Sequence, residues 1–162
     1  MTLVFQDRQP LERWVSYLVW LGIWAYVMLA IAAILWLHPP ILILVAAFVS
    51  FLALVFAAYN FRSLSIHIRN DGISFGFGVF RKHIRWDEIE SISVQPYLFS
   101  RFLGWGIVLD LRGTIGFIAR RSLGVELKLK NGRKYFFSTW HPYELADLIH
   151  SHLRHPQNRK TA

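Results

Sequence analysis

The chain has 162 residues, a formal charge of +8 and 54% hydrophobic residues, too apolar for a disordered chain and long enough for one folded domain beside a membrane segment. It has no cysteine, which excludes disulfides, cysteine zinc sites, cysteine-ligated iron–sulfur clusters and a cysteine nucleophile. The charge is uneven. Residues 1–61 hold Arg8 and Arg13 against Asp7 and Glu12, while residues 62–162 hold sixteen Lys/Arg against eight Asp/Glu and so carry the whole excess.

Residues 1–14 read as a short polar lead ending in a helix start at Gln9-Pro10-Leu11-Glu12-Arg13, with proline near the first turn. Residues 15–61 then form two uncharged apolar runs, Val15–Leu37 and Ile41–Phe61, broken by His38-Pro39-Pro40. About 20 apolar residues suffice to cross the hydrocarbon core as a helix, so the pattern predicts a transmembrane helical hairpin. The first run is too long for a cleaved signal peptide, and the small-residue triplet Ala30-Ile31-Ala32 lies inside it. The connection has no Lys or Arg, whereas Arg8, Arg13, Arg62 and Arg69 flank the runs. The positive side stays cytoplasmic, so both termini and the basic domain are expected there. Ala46, Ser50, Ala53 and Ala57 share one face of the second helix, and Gly22, Ala25 and Ala32 form a stripe on the first. Small residues let helices approach closely in lipid. Such a stripe either packs the hairpin on itself or docks another integral membrane protein.

From Ser63 the period changes to two. Leu64, Ile66 and Ile68 alternate with polar residues, which predicts a half-buried strand. Asn70-Asp71-Gly72 is a tight-turn signal, and Ile73–Val79 returns from it with Gly76 and Gly78 on one face. A turn is expected at Phe80-Arg81-Lys82, a short strand at His83–Trp86 and another at Ile92–Val94. Gln95–Leu103 reads as an irregular loop rich in aromatic residues. Strands follow at Gly104–Leu109, Ile115–Ala119, Val125–Leu129 and Lys134–Thr139, the last two joined by the hairpin turn Asn131-Gly132. Pro142 opens a helix with Leu145, Leu148, Ile149 and Leu153 on one face, and Pro156 stops it. Residues 62–155 therefore form a cytoplasmic domain, and 156–162 a polar tail expected to be disordered.

Seven or so strands followed by one closing helix resembles the pleckstrin-homology fold. The segments Ile84-Arg85-Trp86-Asp87-Glu88-Ile89-Glu90-Ser91-Ile92 and Ser100-Arg101-Phe102-Leu103-Gly104-Trp105-Gly106-Ile107 carry the resemblance. Gly113-Thr114, Gly124-Val125-Glu126-Leu127 and Asn131-Gly132-Arg133 add to it. The chain is similar to bacterial PH-like membrane proteins with an N-terminal helical hairpin. The resemblance implies a curved antiparallel sheet or barrel capped by a helix, a bacterial inner-membrane location and no particular activity. His141 stands where relatives often have Asp before the proline, a poorer N-cap.

No residue set fills the roles of a catalytic site. Asp87, Glu88 and Glu90 suit a solvated turn, Gly76-Phe77-Gly78 lacks the context of a dinucleotide site, and His141, His150, His152 and His155 do not collect on one helix face. No enzyme, cofactor or metal site is expected, and the dispersed charge lacks a nucleic-acid motif. Two binding roles remain. Tyr97, Phe99 and Arg101, with Ala46, Ser50, Ala53 and Ala57, are candidates for contact with a partner protein in a larger membrane complex. Arg81, Lys82, Arg101, Arg120 and Arg121 are candidates for anionic lipid head groups, in which case the domain is a head-group sensor.

Overall fold

A computed structural model describes residues 3–102 and 104–154. The expected tail at 156–162 and His155 lie outside the described residues. The polar lead is not a free segment. It contains strand β1 (Leu3–Pro10), which pairs antiparallel with β2 (Ser63–Arg69). Between them run helix α1 (Arg13–Leu37) and helix α2 (Ile41–Asn60), both long and apolar enough to cross a membrane. The helical hairpin is therefore an insertion between two neighbouring strands. Pro10 ends β1 and the first helix begins at Arg13, three residues after the proline.

The remaining strands form two open sheets, not a closed barrel. The first is β1-β2-β3-β4, with β3 at Gly72–Phe77 and β4 at Phe80–Arg85. The expected turn at Phe80–Lys82 falls two residues earlier, because Gly78, at φ +47°, takes the left-handed position and frees residues 80–82 to continue as strand. A short 3-10 turn at Trp86–Glu88 leads to the second sheet, in the order β5-β8-β9-β7-β6. Its strands are β5 (Ile89–Pro96), β6 (Gly106–Leu109), β7 (Thr114–Ile118), β8 (Leu123–Leu129) and β9 (Lys134–Ser138). The pairing of β7 with β9 is parallel, which an all-antiparallel expectation missed.

The main core lies between the sheets. Leu64, Ile66, Ile68, Phe75 and Ile84 meet Val125, Leu127, Tyr135 and Phe137, and Phe75 stacks on Phe137 with ring centroids 4.8 Å apart. Helix α4 (Pro142–Arg154) covers this core with Leu145 and Ile149, which are fully buried as the helical spacing predicts. It packs on β5, β8 and the 3-10 turn, where Trp86 stacks on His152 at 4.8 Å. The outer face of the second sheet is also covered. The short helix α3 (Phe99–Phe102) sets Phe102 onto Ile118 and Phe136. That approach requires Gly116, where an added Cβ would lie 2.8 Å from the Phe102 ring.

Polar bonds tie the hairpin to both sheets. Leu11 donates its N–H to Arg62 O at 3.0 Å, beside the last β1/β2 pair. Glu12 donates its N–H to Ala119 O at 3.2 Å, in the bend that follows β7 of the second sheet. Asn60, the one strongly polar residue of the second run, is buried and bonds at both ends. Its Nδ2 donates to Phe56 O at 2.9 Å, and its Oδ1 accepts the Val79 N–H at 3.1 Å. Asn60→Ala leaves that N–H without its partner, which costs about 1–3 kcal/mol. Thermal unfolding of the detergent-solubilised chain is expected to show the loss, and Asn60→Leu is expected not to restore it.

Candidate functional site

The helices meet each other along a face that only partly coincides with the small-residue stripe. In α2, Leu44, Ala47, Phe51, Val55 and Ala58 are partly covered, while Ala46, Ser50, Ala53 and Ala57 are exposed. Tyr26 reaches across from α1, donating to Ala47 O at 2.8 Å and bonding Ser50 Oγ at 2.5 Å. On α1, Ile23 is buried and Gly22, Ala25 and Ala32 are exposed. Ser50 thus meets α1 through its hydroxyl and Gly22 and Ala57 border the space between the helices, while Ala46 and Ala53 of α2 and Ala25 and Ala32 of α1 are exposed and do not close the hairpin on itself.

The basic residues singled out from the sequence are not brought into one cluster. Arg101 belongs to an internal network on the outer face of the second sheet. Its Nε donates to Asp110 Oδ2 at 2.7 Å, and its Nη2 donates to Glu126 Oε2 at 2.6 Å and to Thr114 Oγ1 at 3.0 Å. Its Nη1 donates to Gln95 Oε1 at 3.0 Å. The Arg101 side chain is 17% exposed and that of Asp110 1%. Two carboxylates neutralise it, so Arg101 is unsuited to hold either a head group or a partner's acid. Burial works against the Arg101 charge, but the bonds to Asp110 and Glu126 outweigh it and raise its pKa. Burial likewise opposes ionisation of Asp110. Arg101 and the Thr114 and Arg112 N–H groups nevertheless hold it below the ordinary carboxylate range.

Tyr97 is half-buried in the same layer, stacked beside Phe102, with its hydroxyl donating to Gly104 O at 3.1 Å. Phe99 is exposed and lies under Arg121, whose guanidinium carbon sits 5.1 Å from its ring centroid and 4.6 Å from that of Trp105. Trp14 stands edge-on to Trp105 at 4.8 Å, and Glu12 joins the group by accepting the Trp14 indole N–H at 2.6 Å and the Arg121 backbone N–H at 2.8 Å. Arg120 stacks on Trp140 at 3.7 Å. Arg81 and Lys82 are successive residues of β4 and point to opposite faces.

Sequence reasoning named Arg81 but did not group it with the other arginines at the hairpin end of the domain. Arg13 opens α1 and Arg62 follows α2, and both are exposed. Arg8 and Arg81 lie in the cross-strand row Arg8–Ser65–Gly76–Arg81. Exposed Val79 and Phe80 stand beside them, with Phe80 stacked on Phe61 at 5.8 Å. The signal for this set is the β1/β2 pairing, which sets Arg8 opposite Ser65 and Leu11 against Arg62, and so brings Arg8 and Arg62 to one end of the helices.

The other uncovered feature is strand β6. It is an edge strand: Val108 packs on the Phe102 layer, whereas Ile107 and Leu109, on the opposite face, are exposed. Leu109 is 70% exposed and Leu111, just beyond the strand, fully so.

Ser74 Oγ and His83 Nδ1 are 2.8 Å apart, and His83 Nε2 is 3.7 Å from Asp71. The second contact exceeds hydrogen-bond length and the side chains of His83 and Asp71 are about 40% exposed, so the string is a surface contact without the water exclusion of a nucleophile site. Among the described residues, no group of three or more His, Asp or Glu is placed to hold a metal. No family model matches the chain, and neither does any curated protein or solved structure.

Two outcomes test the Arg101 network. Arg101→Met leaves Asp110 and Glu126 without their cation and is expected to cost about 3–5 kcal/mol in denaturant unfolding. Arg101→Lys restores little, lacking the fork that reaches four acceptors. The sign of the Asp110 contribution follows from its lowered pKa. As pH falls below the unfolded value near 3.8, the unfolded chain takes the proton first. The stability it supplies is thus fully present above that value and lost as pH falls through the folded one. The stability gap between the native chain and Asp110→Asn is expected to be constant at neutral pH and to shrink below pH 3.8.

Proposed function

We propose that the chain is a non-catalytic, membrane-anchored binding module, an accessory subunit of a larger membrane complex, built on a PH-like scaffold. The hairpin crosses the bacterial inner membrane and both ends of the chain face the cytoplasm. Three arginines, Arg8, Arg13 and Arg62, gather at one end of the helices, and His38-Pro39-Pro40 at the other carries no Lys or Arg. That distribution supports the orientation.

The observation that carries the reading is the uncovered β6 edge. An open strand edge with outward Ile107 and Leu109 is a template for pairing with another chain, which isolated proteins blunt with charge, proline or a covering element. β6 leaves the hairpin end at Gly106, whose added Cβ would lie 3.3 Å from Phe61, and runs towards Leu111. Its four residues span about 13 Å and carry the apolar edge away from the helix ends. The occupant is an extended segment of a protein partner that adds a strand beside β6. Outward Ala46 and Ala53 of α2 supply a second contact, to a partner's membrane helix.

A second reading has its own support. Arg13, Arg62 and Arg81, beside exposed Val79 and Phe80, form a surface at the helix ends suited to anionic head groups. In that reading the domain lies against the bilayer as a lipid sensor.

Leu109→Lys/Leu111→Lys separates them. The full-length chain, purified in mild detergent from its native membranes, is expected to run as a larger assembly, and the double variant as a lone chain. Ala53→Leu, on the face turned from α1, is expected to leave the hairpin intact and weaken the same assembly. A lone native chain, or an assembly unmoved by both variants, removes the accessory-subunit reading and leaves lipid sensing.

A further inference from the structure

Below the β1/β2 junction the two helices do not close on each other. Their polar contact is Tyr26 to Ala47 and Ser50. Between that contact and the helix ends nearest the sheets lies a cleft of about 990 Å³. Its walls are apolar: Gly22 and Ile23 come from α1, and Leu54 and Ala58 from α2. Among the described residues, its charged lining residues are Arg13 and Arg62, and no carboxylate lines it. The nearest acid in sequence, Glu12, is engaged by Trp14 and by the Arg121 N–H. Neither Arg13 nor Arg62 has an ion-pair partner among the described residues. The cleft is thus an apolar slot on the helix pair with two unneutralised guanidinium groups at one end.

We propose that this slot holds one anionic phospholipid of the cytoplasmic leaflet. Its phosphate lies between Arg13 and Arg62, and an acyl chain lies along the Gly22 and Ala58 walls. Guanidinium groups match phosphate oxygens with paired donors. The volume is within the range of ligand sites, and the cleft is open along one side, as suits a lipid whose second chain stays in the bilayer. A partner's apolar helix in the same slot leaves both arginines unmatched at its mouth. The phosphate satisfies them, and the chain fills the walls. The proposal is independent of what binds β6, and its residues are not those of the β6 edge or of the outward Ala46–Ala57 stripe, apart from Ala57 at the cleft margin.

The test is lipid retention by the full-length chain. Protein reconstituted in nanodiscs of phosphatidylcholine with an equal share of phosphatidylglycerol is extracted into mild detergent, and bound lipid is read by native mass spectrometry. One phosphatidylglycerol per chain is expected to remain, with phosphatidylcholine largely lost. Arg13→Gln/Arg62→Gln is expected to lower that retention about thirtyfold, roughly fivefold for each charge. Gly22→Leu is expected to block retention of both lipids. An added Cβ there meets nothing within 4 Å, so this variant keeps the fold even if the double variant does not. Equal retention of the two lipids, or retention unchanged in Gly22→Leu, overturns the proposal. So does a dimer mass in place of bound lipid, since a second copy then fills the slot. A native chain that runs alone, with lipid retention intact, counts against the accessory reading and leaves this proposal standing.

Discussion

The pairing of β1 with β2 sets the geometry of the whole molecule. Two strands that flank a helical hairpin of 45 apolar-rich residues are held in register from Gln6↔His67 to Pro10↔Ser63. The ends of the hairpin are thereby fixed at the spacing of neighbouring strands, about 4.8 Å, and Leu11 to Arg62 closes the last rung. Asn60 then fastens α2 to the β3–β4 turn, and Glu12 fastens the start of α1 to the second sheet through Ala119 and Arg121. A membrane anchor joined by a single flexible linker lets its domain tumble. Here four strands, two helix ends and one buried amide oppose that motion. The positions of Arg13 and Arg62, and the cleft between them, follow from this splice.

A second constraint organises the far face of the domain. The loop between β5 and β6 must cross the outer surface of the second sheet, and two of its residues hold it there. Phe102 supplies part of the adhesion, in space left by Gly116. Arg101 supplies the rest by joining four residues from three strands and a turn: Gln95, Asp110, Thr114 and Glu126. A buried ion triad adds less net stability than an apolar core of equal volume. Its merit here is direction: the Arg101 fork accepts one arrangement of β5, β8 and the Asp110 turn. The same turn carries Leu111, so the network also fixes where the apolar β6 edge is presented.

Much of the architecture is legible from local pattern. The change from uninterrupted apolar runs to strict alternation at Ser63, the turns at Asn70-Asp71-Gly72 and Asn131-Gly132, and the one apolar face of α4 all depend on residues close in sequence. What escaped is non-local. Leu3–Pro10 carries Gln6, Asp7, Arg8 and Gln9 in succession, too polar to read as a strand until β2 is set beside it. Arg101 reads as a free cation in an aromatic loop, because its two carboxylates lie 9 and 25 residues further on. The parallel β7–β9 pair leaves no periodic trace that differs from an antiparallel one. The small-residue stripe is visible in sequence, but which way it faces depends on how the two helices rotate about Tyr26, and Ala46 and Ala53 turn outward.

The measurement that tests the splice most directly is hydrogen exchange of the full-length chain in detergent, read across Phe5–Leu11. The account predicts that amides of this segment bonded to β2 exchange as slowly as those of β2 and β3, since the rungs open only when the first sheet does. Exchange at the rate of an unstructured chain terminus, with β2 and β3 still protected, contradicts it. The hairpin would then be held through α2 alone, by the chain at Phe61-Arg62 and the Asn60 bond to Val79, and the arginine pair would have no fixed spacing.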